Sequence, residues 1–574
     1  MGFNPFENDG NGGGSVLILK NITENGHYSA ADEGADGYSS VHIEVPNTYV
    51  AGDEGKVVSN GALVTQTSGL VTKNSIVDTT TINSLTVDVP RNGYQHGGVN
   101  FFDVDGTVLY AYTPEEFLEL EEMPPNPDRT WEYLVAQGWN WTLADAKEYV
   151  TAYGALNIGQ HYITPDDKTA IDVILDEGCL NPQLGLYVNG SVLVEWGDGS
   201  TDTLTGNSTN NYVYATHTYA EPGEYYILLT VTGKAIIKGQ QKLFCKAGVG
   251  ADSASARDRS KKYINSIQDI HLGANIDIGQ NAFYRCYSMK HVSIPSTVVS
   301  INSSTFQYCT SMEAVVIPHG TTSLGNSTFE GCYGLKFVSI PKTLTSIGTK
   351  CFLYCYSIIA LTFPVGMTTV GEKCFSNMPS CDVINIPGVV GAIPDYFADF
   401  NRTMMSITFA EGVTSIGDNA FNECHGIKYV TLPSTLKSIG DNVFKTCGAL
   451  NEITFPDKFE TFGIATFAND TALQRFTIPP LVTEIPESMF DACNSLSTII
   501  IPDKVTDIGE KAFYRCYGLS YIKFEPQTPP TIANANAFGE LPTDCIIYVP
   551  EGTLTDYQTA YGYPSPGTYT YEEY

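Results

Sequence analysis

Two aspartates stand one residue apart behind an apolar run in Phe101-Phe102-Asp103-Val104-Asp105-Gly106-Thr107, a spacing that could carry nucleophile and acid–base chemistry. A strand followed by an Asp-Gly turn accounts for them without any reaction. The fourteen cysteines are the next candidates. Cys286, Cys309, Cys332, Cys355, Cys424, Cys447, Cys493 and Cys516 recur at one spacing, with Met378 and Phe400 standing in elsewhere. Replacement by large apolar side chains argues for a buried column of reduced thiols, although stacked repeats one strand spacing apart can approach disulfide geometry. No Cys-x-x-Cys pair occurs, and a ladder does not make a tetrahedral metal site. No nucleophile, acid–base pair or ligand set converges, so no catalytic, cofactor-binding or metal residues are assigned and the chain is expected not to be an enzyme.

The residues assigned to binding are His291, Phe337, Tyr429, Arg475 and Tyr521, and a repeat must position them. Phe283, Phe306, Phe329, Phe352, Phe375, Phe397, Phe421, Phe444, Phe467, Phe490 and Phe513 step by 23 residues, with one step of 22 and one of 24. A 23-residue unit cannot bury its own apolar face, so the copies must stack into a solenoid. Short strands ending in proline, such as Val292-Ser293-Ile294-Pro295 and Val338-Ser339-Ile340-Pro341, are followed by steps such as Ser346-Ile347-Gly348 and then by Phe and Cys. This pattern resembles the BspA-type leucine-rich repeat over residues 263 to 526, about eleven copies, which implies a binding solenoid. Alternation along each strand sends one column outward: His291, Ala314, Phe337, Ala360, Val383, Ser406, Tyr429, Glu452, Arg475, Thr498 and Tyr521. Its aromatics either stack on sugar rings and anchor a protein partner, or are scattered surface residues. Tyr287, Tyr333, Tyr356 and Tyr517, each just after the cysteine column, line a different edge and are expected to be packing residues.

Upstream, residues 1–92 hold two related units ending in Val41-His42-Ile43-Glu44-Val45-Pro46 and Leu85-Thr86-Val87-Asp88-Val89-Pro90, whose alternation marks strands, with a hairpin expected at Asn60-Gly61 between them. These Asn-Gly-x-Tyr units, followed by Asp53-Glu54-Gly55-Lys56-Val57-Val58 and then a repeat array, are similar to modular structural proteins of tailed phages of gut Firmicutes. The resemblance implies attachment to a phage capsid or tail protein through the N-terminal region. Residues 93–168 read as a small α/β module, with a capping box and proline at Thr113-Pro114-Glu115-Glu116 opening a helix through Glu121, and a second helix from Thr142 to Tyr153 stopped by Gly154. Trp131, Trp139 and Trp141 are expected to fill its core, with sugar stacking as the other use of a tryptophan. Here the Asp103/Asp105 motif is similar to the first motif of haloacid-dehalogenase-type phosphatases, which would make Asp103 nucleophile and Asp105 general acid. That chemistry needs a doubly wound sheet, for which about 70 residues leave no room.

Within 169–246, Val194-Glu195-Trp196-Gly197-Asp198-Gly199-Ser200 and His217-Thr218-Tyr219-Ala220-Glu221-Pro222-Gly223-Glu224-Tyr225 resemble the paired signatures of a PKD domain, an immunoglobulin-like β-sandwich. The family implies a spacer or a carbohydrate- and protein-binding module, with Asp198 and Asp202 as a minor calcium candidate. Residues 247–262 read as a linker and 527–574 as a C-terminal cap and tail. The fold class expected is therefore mainly β and multidomain.

Charge narrows the partners. Among 574 residues, 31 Lys and Arg face 63 Asp and Glu, a net charge of -32 that repels phosphate backbones, so no nucleic-acid partner is expected. The start is acidic and glycine-rich, Val16 to Leu19 is too short for a secretory signal, and no run of about 18 apolar residues marks a membrane span. Synthesis in a cytoplasm and release on a virion surface fit these features. The expected protein is a homo-oligomer, plausibly a trimer, whose repeat face meets a host-surface or mucus glycan or protein. The alternative is a bacterial cell-surface adhesin exported by another route.

Overall fold

A computed structural model describes residues 97–574 except 127–133, 165, 240–242, 247–261, 382, 387–390, 410, 561 and 567, and before residue 97 describes strand backbone alone. The chain is mainly β and divides into two compact units, residues 1–129 with 138–161, and residues 130–137 with 162–574. Trp131 lies outside the described residues.

In the first unit, Ser39–Glu44 is the central strand of three. It pairs antiparallel with Tyr28–Ala31 and with Ser84–Val89, which sets Val41 opposite Val87 and Ile43 opposite Leu85. Lys56–Ser59 and Ala62–Thr65 pair antiparallel with Ser59 opposite Ala62, while Asn60-Gly61, where the turn is expected, lies outside the described residues. Further on, Val99–Phe102 pairs antiparallel with Val108–Tyr112 and parallel with Leu156–Ile163. Thr113 caps the helix Pro114–Leu118 through a reciprocal capping box with Glu116, and the helix ends three residues before Glu121 because Glu119 already caps it. Thr142 caps Leu143–Tyr153, which stops at Gly154 with φ +80°. Phe101, Phe117, Trp141 and Tyr149 form the core, and Trp139 lays its edge on Phe101 with ring centroids 4.8 Å apart.

The second unit opens with long antiparallel strands, Thr169–Leu175, Pro182–Glu195, Thr201–Thr216 and Gly223–Ile237. Trp196 is fully buried, its Nε1–H donating to Asp202 at 2.8 Å and its carbonyl accepting from the Tyr219 hydroxyl at 2.8 Å. Gly197 turns the chain here with φ +86°, and a Cβ would sit 2.7 Å from the Tyr226 carbonyl. Thr169–Leu175 also pairs with Ile267–His271, which pairs parallel with His291–Ser293. Sheet and apolar core thus run from residue 169 into the repeats, across the 247–262 segment that composition marks as a linker.

From there the chain is a repeating stack of short parallel strands. Strands before the prolines pair in register at 23-residue offsets, and pairs such as Ser323 with Ser346 and Ser415 with Ser438 build a second ladder. A third ladder runs through the phenylalanine corner, where Phe283 N–H donates to Thr305 O and Phe306 N–H to Thr328 O. Each corner places two residues in the left-handed region, two before and two after the ladder position, as Ser304 and Tyr308 do around Phe306. These are strained for non-glycine residues, and the inter-repeat hydrogen bonds hold them. The phenylalanine rings stack 5.3–5.9 Å apart along most of the array.

Phe397 breaks the stack, meeting Phe375 and Phe421 at 69° and 63°. It arrives one residue early: Ala398 donates to Ala420 O and occupies the ladder position, which is what the 22- and 24-residue steps encode. The same shift corrects the cysteine column, where Asn401, not Phe400, holds the site, and Asp470 holds it in another repeat. At the far end, Tyr521–Phe524, Ile546–Val549 and Thr570–Glu573 continue the parallel sheet, and buried Tyr557 packs on Phe524. Among the described residues no helix is long and apolar enough to cross a membrane.

Candidate functional site

Strand register sets the outward column. Ala360, Val383, Ser406 and Tyr429 lie side by side on successive strands, and so do Glu452, Arg475, Thr498 and Tyr521. Their surroundings differ along the array. Tyr429 is 68% exposed, flanked by exposed Thr431 and Thr408. Arg475 is exposed and borders an open groove of about 680 Å³ with Thr477, Thr498, Ile500 and Glu525. Tyr521 is half-buried, its ring edge-on to Tyr548 at 5.6 Å.

Phe337 is a correction: it is 2% exposed, and Ala314 and Ala360 in the same column are buried with it. Here Val316, Ser339 and Thr362, two residues further along their strands, are buried as well. Both faces of the sheet are covered in this stretch, so alternation still assigns residues to faces but no longer assigns one face to water. The open face therefore spans roughly residues 406 to 523. His291 is half-buried, with Nδ1 paired to Asp269 Oδ1 at 2.8 Å.

The tyrosines after the cysteine column line a separate edge. Tyr333, Tyr356 and Tyr517 are 41%, 42% and 53% exposed. They pack along that edge: Tyr333 stacks on Tyr356 at 5.1 Å, and the Tyr517 hydroxyl donates to Glu540.

The carboxylates of the Asp103/Asp105 and Asp198/Asp202 motifs are engaged locally. Asp103 and Asp105 close the hairpin turn, Gly106 N–H donating to Asp103 O at 3.0 Å and Thr107 N–H to Asp105 Oδ1 at 2.9 Å. Asp198 accepts from the Ser200 backbone and hydroxyl on one oxygen and pairs with His217 Nε2 on the other. Burial raises its pKa, but Ser200 and His217 outweigh that and hold the carboxyl at about 2. Asp202 is engaged by Trp196. Among the described residues no group of His, Cys, Asp and Glu has the geometry to hold a metal ion. The cysteine thiols are buried and unpaired by disulfides, and Cys309, Cys332, Cys355, Cys447, Cys493 and Cys516 each donate to the carbonyl of the phenylalanine 26 residues earlier, at 3.1–3.3 Å.

Residues 276–402 and 392–520 match the profile of the BspA type leucine rich repeat region, in six copies. The repeat region is accordingly a BspA-type leucine-rich-repeat solenoid. A leucine-rich repeat protein from Bacteroides ovatus ATCC 8483 is 24% identical over 53% of this chain and 88% of its own, with a TM-score of 0.40. The pneumococcal vaccine antigen PcpA is 14% identical over 60% of this chain and 87% of its own, with a TM-score of 0.35. A leucine rich cell surface protein from Faecalibacterium prausnitzii A2-165 is 22% identical over 45% and 79%, with a TM-score of 0.28. No curated protein sequence matches the chain significantly.

Proposed function

We propose that this is a non-enzymatic adhesion protein of a phage particle, a head fibre, capsid decoration or tail-associated protein. Its N-terminal strand modules attach to a capsid or tail protein, the 169–246 domain is PKD-like, and the solenoid presents its open sheet face to a host-surface or mucus glycan or protein. The observation that carries the recognition half is the exposed run of Tyr429, Thr431, Glu452 and Arg475 on consecutive strands, a flat array of polar and aromatic side chains without a convergent reactive group. The arrangement of the N-terminal units carries the particle half. A net charge of -32 disfavours nucleic acid and anionic membrane as the partner.

Binding of the purified chain to host cells, measured by flow cytometry, tests the recognition half. Tyr429→Ala with Arg475→Ala should reduce binding at least tenfold while Tyr517→Ala, on the other edge, leaves it unchanged. Undiminished binding by the double variant would reject the open face as the recognition surface.

A further inference from the structure

We infer that a cleft where the 169–246 domain joins the first solenoid strands binds an uncharged saccharide. The inference deepens the adhesion reading by naming a ligand class and a place, and it rests on that reading for its biological role. Four strands build one face of the cleft, with Tyr226 opposite Asp172, Asp172 opposite Asp269, and Asp269 opposite His291. His271 lies two residues along from Asp269, opposite Ala170. The cleft holds about 320 Å³, at the small end of the range of ligand pockets, about 300–1,000 Å³, and of a size for one sugar ring.

His271 carries the argument. It lines the cleft, is only 8% exposed, and its Nδ1 has no hydrogen-bond partner. Buried polar atoms are nearly always satisfied in folded proteins, so an orphan that borders a cleft points to something that enters it. Burial lowers the imidazole pKa to about 4, against the pull of Asp269 and with a further push from His291, so the ring is neutral at neutral pH. A neutral imidazole has one donor and one acceptor. Around it stand the carboxylates of Asp172, Asp269 and Glu224, the Lys290 ammonium, and the Tyr226 ring. Asp269 also fixes its neighbour, accepting from the His291 backbone N–H at 3.0 Å as well as pairing with its ring.

Such a mixture suits hydroxyl groups, which donate and accept from the same atom, and an aromatic wall suits the apolar face of a sugar ring. Three carboxylates against one lysine disfavour an anionic ligand.

Saturation-transfer difference NMR on the full chain tests this with galactose, N-acetylglucosamine and N-acetylgalactosamine as probes and N-acetylneuraminic acid as the anionic control. The expected result is transfer to at least one uncharged sugar and none to the anionic one. His271→Ala should weaken that binding tenfold or more, and Lys290→Ala, at the exposed rim where folding is not at stake, should weaken it severalfold. Tyr429→Ala should leave sugar binding at the cleft intact, so loss of cell attachment by that variant and loss of sugar binding by the cleft variants report separately on the two readings. Absence of transfer from every uncharged probe, preference for the anionic sugar, or binding that survives both cleft substitutions would overturn the proposal.

Discussion

At the scale of single residues, one repeat position shows how the interior is satisfied. The phenylalanine carbonyl at the corner takes a thiol from the next repeat, and where cysteine is absent Asn401 does the same work, its Nδ2 donating to Phe375 O at 2.9 Å and its Oδ1 accepting from Met378 N–H. Asp470 occupies the equivalent place. Its Oδ1 accepts from Cys447 N–H at 2.6 Å, and Oδ2, corresponding to the asparagine nitrogen, has no partner. Burial pushes this carboxyl well above the usual range, outweighing the Cys447 N–H that favours the charged form. The folded chain therefore keeps a proton that the unfolded chain gives up above about pH 4. The stability tied to that proton is fully present below about pH 4 and is lost as pH rises toward the folded-state value, at about 1.4 kcal/mol per pH unit within that window. Asp470→Asn should raise the melting temperature, and by more at pH 8 than at pH 5; equal gains at both would place the proton elsewhere. Burial likewise raises the thiols, so in native protein a thiol reagent should label few of the fourteen cysteines, and nearly all of them in denaturant.

At the scale of the element, the stack of rings sets the energetics. Burying a phenylalanine contributes about 1.5–3 kcal/mol, and truncating one to alanine in a tight core costs about 3–5 kcal/mol once the cavity is counted. Phe444, stacked at 5.8 and 5.9 Å on both sides, should pay close to the full amount, and because repeats contact only their neighbours, Phe444→Ala should split urea unfolding into two phases. A single cooperative transition shifted as a whole would mean that coupling along the array is stronger than nearest-neighbour contacts provide. The repeat was legible in the sequence because its period is fixed by stacking, and the helix caps at Thr113 and Thr142 because capping chemistry is local. Phe397 was misplaced by one residue because a ring alone does not reveal which residue makes the corner hydrogen bonds. Phe337 was read as exposed because alternation distinguishes two faces of a strand and says nothing of what covers each. The His271 cleft was not legible from the repeat alone, since strand register brings Asp172 beside Tyr226 and Asp269, 54 and 97 positions further along the chain.

At the scale of the molecule, the continuous sheet from Thr169–Leu175 through Ile267–His271 to His291–Ser293 makes the 169–246 domain a cap for the solenoid as well as a neighbour of it. A solenoid end left bare exposes both apolar core and an unpaired strand edge. Residues 263–574 expressed alone should therefore aggregate or self-associate by size-exclusion chromatography, whereas 162–574 should run as a discrete species. The assignment to a particle draws on the arrangement of the N-terminal units and is the claim on which the account turns. Immunogold electron microscopy of intact phage from the source lysate, with antibodies raised to the solenoid, tests it most directly. The account requires label on capsids or at the tail; label confined to bacterial envelopes, with bare particles beside them, would contradict it.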